Sequence, residues 1–178
     1  MNIEKDVKEC FEKAEKDEKK GKKHKGLLLG KTDNKRAEEY AQKAKANLGL
    51  CELYKKQGFD YKIPEEWYYT MYYCALAVLS KFGVETRSQR CTALFMKYVK
   101  DKGLIGYDNE FIDRIMVYTD KEEKSDVDKR ETARYSSLVK IKEVEERYET
   151  MMDLCRRCID QCESIVFSKA KFEVPKDF

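Results

Sequence analysis

Residues 67–84 read WYYTMYYCALAVLSKFGV, and this stretch decides the fold. Apolar and aromatic residues fall on nearly every face of a helix drawn from Trp67 to Phe82, and only a helix in the middle of a bundle can bury that much circumference. Pro64 stands before it, where a missing N–H does no harm, and Glu65 and Glu66 complement the positive end of the helix dipole. Gly83 is placed to end it. Aromatic residues gather at its start: Trp67, Tyr68, Tyr69, Tyr72 and Tyr73.

Working outward toward residue 1, Ala37, Tyr40, Ala41, Ala44, Leu48 and Cys51 recur at helical steps. Thr32, Asp33 or Asn34 can cap this helix, and Gly58 can close it in the left-handed conformation that a side chain disfavours. Further out, Ile3, Val7, Cys10, Phe11 and Ala14 mark a short amphipathic helix. It runs into KKGKKHK at residues 19–25, which holds the only histidine, His24, and reads as a solvated connector. Touching RNA phosphates through simple charge is the competing role for these lysines.

In the other direction, Cys91, Leu94, Phe95, Tyr98 and Val99 predict a helix from about Ser88 to Lys102, stopped by Gly103. Asp108 can cap a further one whose inward residues are Phe111, Ile112, Ile115 and Met116. The charged segment KEEKSDVDKRETARYSS, residues 121–137, then breaks the pattern. From Ile141 through Val144, Tyr148, Met151, Cys155, Ile159, Cys162 and Val166 the steps return for the longest helix, roughly 40 Å at the standard rise. No segment alternates with period two for long enough to argue for a sheet. The expectation is an all-α protein: an antiparallel up-and-down bundle of four to five helices with an extra N-terminal helix. Residues 1–34 would form that helix and the lysine-rich connector, and residues 35–178 the bundle.

Composition agrees with a bundle. Of 178 residues, 42% are hydrophobic and 40% charged, which suits helices with one buried stripe and a charged outer face. A net charge of +3 excludes the strongly basic balance of a dedicated duplex binder. MNIEKDVKEC lacks the apolar core of an export signal, and the apolar stretch from Trp67 to Leu79 is too short to span a bilayer. The expected location is therefore cytoplasmic, without membrane attachment. The seven cysteines are odd in number and sit at helical spacing beside apolar residues, so reduced core thiols are expected. Cys155, Cys158 and Cys162 include a CxxC, but zinc sites usually bring a second chelating pair or a histidine. No metal and no cofactor is expected.

The central helix, the following ETRSQRCTALFMKYVKDKGLI and the later KRETARYSS together resemble the HEPN family, with AEEYAQKAKANLGLCELYKKQGFD similar to that family's first bundle helix. The resemblance covers about residues 35–167. It implies a helical bundle that pairs as a homodimer, a minimal nucleotidyltransferase as toxin–antitoxin partner, and RNA or a nucleotide in the cleft between subunits. It also implies a metal-independent endoribonuclease using an arginine and a histidine a few residues apart. Such chemistry needs a group titrating near neutrality and a fixed cation beside the phosphorus.

Arg130 matches the motif arginine, whereas Tyr135 and Ser136 stand where the histidine would fall. The Ser-His pair of many relatives reads Ser88-Gln89 here. Arg130 and Tyr135 are accordingly the candidate catalytic residues, in half of a nuclease site. Arg130, Arg134, Tyr135, Tyr68, Tyr72, Ser88 and Gln89 are the candidate nucleotide- or RNA-binding residues. Guanidinium groups offer planar donors to phosphate, and a phenol offers a stacking face. Each has a plainer account: the arginines pairing with Glu122, Glu123 or Asp126, and the tyrosines serving as core and dimer interface. Without the resemblance, the chain reads as a non-catalytic helical module for dimerisation or protein interaction.

Overall fold

The computed structural model describes residues 2–116 and 141–175; Arg130, Arg134, Tyr135 and the charged segment around them lie outside the described residues. Six α-helices and one two-stranded antiparallel sheet make up the described part. They are α1 (Ile3–Lys19), β1 (Leu27–Leu29), α2 (Asn34–Gln57), α3 (Ile63–Lys81), β2 (Val84–Thr86), α4 (Gln89–Asp101), α5 (Asn109–Ile115) and α6 (Ile141–Val166). A single 3-10 turn, Asp60–Lys62, leads into α3.

Local sequence explains the helix ends. Asp33 caps α2 by accepting from the Arg36 amide at 2.9 Å, and Ser88 caps α4 by accepting from the Cys91 amide at 3.2 Å. Gly83 ends α3 with φ +69°, and a Cβ there would stand 2.7 Å from the Gly30 carbonyl oxygen, so glycine is required twice over. Asp108 takes the cap position of α5, but its carboxylate accepts from Arg157 instead of closing the helix end.

As its composition demands, α3 is central and packs against α2, α4, α5, α6 and β2. Two of its buried polar residues are satisfied within the helix: Thr70 Oγ1 donates to the Glu66 carbonyl at 2.8 Å, and Ser80 Oγ to the Leu76 carbonyl at 2.9 Å. Lys81, also buried, directs its Nζ to Asn34 Oδ1 at 2.8 Å.

Cross-contacts give the helix directions. Tyr40 stacks on Tyr73 while Asn47 donates to Glu66, so α2 and α3 are antiparallel. Lys45 pairs with Glu163 and Lys55 with Glu149, so α2 and α6 are antiparallel too. Three mutually touching helices cannot all be antiparallel, and α3 and α6 are the pair that runs together. The Cys155 thiol points at the Trp67 carbonyl and the Cys162 thiol at the Cys74 carbonyl, each 88 residues apart.

Three expectations are corrected. First, β1 and β2 pair antiparallel, with Leu27 opposite Thr86 and Leu29 opposite Val84. Three-residue strands are too short to display alternation, and pairing across the fold creates them. Second, His24 is buried although its neighbouring lysines are exposed. Gly26 lets the connector press against α1, where a Cβ would run into the Cys10 carbonyl oxygen. Third, Cys10 and Cys91 are joined in a disulfide instead of standing as reduced thiols. The antiparallel packing of α1 on α4 brings their Cα atoms to 5.9 Å, inside the range a disulfide spans. The remaining five cysteines are free and buried, as expected of core thiols. Val7, Cys10 and Leu27, from the first 34 residues, belong to the same hydrophobic core as α3.

Candidate functional site

Of the residues singled out by sequence, Tyr68, Tyr72, Ser88 and Gln89 fall among the described residues. Tyr68 and Tyr72, one helical turn apart on α3, stack with ring centroids 5.8 Å apart and planes 13° from parallel. Tyr68 is fully buried and belongs to the core, whereas Tyr72 is half-buried. Burial pushes the Tyr72 phenol above its ordinary range, and a hydrogen bond with the Thr92 side chain pulls it part of the way back.

Thr92 links the two stretches. From the first turn of α4 its hydroxyl donates to the Ser88 carbonyl at 2.8 Å and lies 3.2 Å from the Thr86 hydroxyl. Tyr72 of α3 and Ser88 at the head of α4 therefore meet around one threonine. The Ser88 hydroxyl is used as the α4 cap, so its backbone carbonyl is what faces Thr92. Gln89, half-buried, opens the helix beside it.

Next to this point the aromatic face continues onto α2. Tyr73 stacks between Tyr69, at 5.8 Å, and Tyr40, at 6.1 Å. The Lys43 ammonium sits 4.4 Å from the Tyr73 ring centroid, within cation–π range. Sequence periodicity placed Tyr40 in the α2 stripe, but its stacking partner on α3 emerges only when the helices pack.

The thiols form a separate, interior group. Cys74, Cys158 and Cys162 meet between α3 and α6, and the Tyr107 hydroxyl lies 3.1 Å from the Cys158 sulfur. Hydrogen bonding to the other two thiols, together with burial, holds Cys74 well above the usual thiol range; burial and neighbouring thiols do the same to Tyr107. Burial pushes Cys51 up to about 12. Such thiols stay protonated and are poor nucleophiles. Among the described residues no group of three or more His, Cys, Asp or Glu side chains is arranged to hold a metal ion.

Fold and site define a class: an α-helical bundle whose central helix shows a tyrosine face beside the head of α4. Among the described residues no helix is long and apolar enough to cross a membrane. Comparison with protein-family models, curated proteins and solved structures finds no match to this chain.

Proposed function

We propose that the chain is a HEPN-type component of a two-gene module, acting in the cytoplasm as a homodimer that holds RNA or a nucleotide between its subunits. Its partner would be a minimal nucleotidyltransferase. Arg130 contacts phosphate, Arg134 assists, and Tyr135 stacks or donates a hydrogen bond. What supports the reading is that Tyr72, singled out by its helical spacing from Tyr68, and Ser88, singled out by the resemblance, both neighbour Thr92. Cleavage of RNA by this site requires a base other than the motif histidine, with Tyr135 or Glu131 in that place.

Two measurements test the proposal. Melting the protein with AMP, ATP or a short RNA at tenfold excess over the dissociation constant should raise stability by about 1.4 kcal/mol. Arg130→Ala should abolish that rise and any RNA cleavage. Cleavage that persists undiminished in Arg130→Ala sinks the assignment of this site. A second reading, a non-catalytic module for dimerisation or protein interaction, is favoured by the half-buried rings of Tyr40, Tyr69 and Tyr73 on one face. It predicts dimers whose melting ignores all three ligands.

A further inference from the structure

The lysine-rich connector between α1 and β1 has no part in the function proposed above, and its side chains divide sharply. Lys22, Lys23 and Lys25 are exposed, while His24 between them is only 4% exposed. Both ring nitrogens of His24 are buried without a hydrogen-bond partner among the described residues. In either neutral tautomer one nitrogen bears a proton and the other a lone pair, so the ring stands ready to bond and is unmatched.

What faces it is a carboxylate. Glu85 Oε1, from β2, lies 3.8 Å from His24 Nε2 and 3.7 Å from Arg87 Nη2, while Glu85 Oε2 lies 4.0 Å from Arg36 Nη1. Asp33 engages the other edge of Arg36, at 3.4 Å from Nε. Charge-assisted hydrogen bonds close to about 2.7–2.9 Å, and none of the three contacts to Glu85 does so. The geometry has a plain cause. A carboxylate has two oxygens in one plane, and here three donors approach from separate elements: the connector, the first turn of α2, and the link from β2 to α4. Pairing of β1 with β2 holds them in place, and the Arg87 amide donates to the Gly26 carbonyl at 3.4 Å.

We infer that this is a phosphate-binding site in which Glu85 is an internal stand-in for the ligand. A terminal phosphate dianion displaces the Glu85 side chain and meets Arg36, Arg87 and His24 with three oxygens. Lys22, Lys23 and Lys25 add long-range attraction that weakens with salt. The Glu85 side chain is 47% exposed, so it can swing into solvent while its backbone stays paired opposite Leu28. None of the site's residues comes from the 130–135 stretch.

The test is isothermal titration of the full chain with inorganic phosphate, pyrophosphate and 5′-AMP at fixed ionic strength, with chloride as the control salt. Glu85→Gln removes the stand-in and should tighten pyrophosphate binding at least tenfold. Adding Arg36→Ala and Arg87→Ala, both at exposed positions, should reverse that gain. The chain has one histidine, so a single set of imidazole NMR signals reports the site, and these should shift on titration in an Arg130→Ala/Arg134→Ala background as well. Equal affinity for phosphate and AMP assigns the site to the free anion, and tighter AMP binding to a nucleotide's 5′ end. Unchanged affinity in Glu85→Gln, or binding that leaves the His24 signals unmoved, overturns the inference.

Discussion

Reducing the Cys10–Cys91 disulfide should destabilise the protein by several kcal/mol, and the size of the effect follows from topology. The bond joins residues 81 apart, and closing a loop of that length removes about 15 cal/mol/K from the unfolded chain, or about 4.5 kcal/mol at 25 °C. That value is an upper bound, because an unfolded chain with residual structure has less freedom to lose. α1 makes the effect visible, since only Val7, Cys10 and Ala14 of its 17 residues are buried. An unfolding entropy of about 2.1 cal/mol/K per residue over 178 residues turns 2–4.5 kcal/mol into a fall in Tm of about 5–12 °C. The assay is thermal unfolding by circular dichroism with and without a phosphine reductant. A Cys10→Ala/Cys91→Ala variant, whose melting should ignore reductant, is the control. Thiol titration of the denatured chain should count five reactive groups before reduction and seven after. Seven before reduction, or identical melting in both conditions, refutes the reasoning.

Alkaline pH should weaken the fold earlier than surface charge alone would. Cys51 is pushed from 9.0 to about 12, so its contribution is intact below pH 9 and is lost as pH climbs toward 12 while the unfolded thiol ionises. At pH 10 that loss is about 1.4 kcal/mol, and the stability gap between the parent and Cys51→Ser should narrow by this amount between pH 8 and 10. A gap that stays constant over that range removes the argument. Tyr72, Tyr107 and Tyr148, raised by burial, extend the decline above pH 10. Gly26→Ala should lower stability by about 1–3 kcal/mol in urea unfolding, because the new methyl would strike the α1 backbone at Cys10 and Ala14. An unchanged midpoint would show that the connector does not press on α1.

The helices were legible in the sequence because a helix is built from contacts three and four residues apart, and those contacts leave a periodic trace. Asp33, Ser88 and Gly83 mark boundaries by chemistry that acts within one turn, and the apolar residues on nearly every face of 67–82 already called for a central position in a bundle. The Tyr68–Tyr72 pair was readable for the same reason. Tertiary structure alone decided the rest. Pairing of Leu27–Leu29 with Val84–Thr86, the Cys10–Cys91 bond, the junction of Tyr72 with Thr92, and the burial of His24 against Glu85 each join residues far apart in the chain. Such contacts form only after loops close and helices dock, and a single histidine among lysines carries no periodicity that could foretell its partner. Even helix direction belongs here: amphipathic stripes show which faces are buried, but the mutual contact of α2, α3 and α6 is what forces two of them to run parallel.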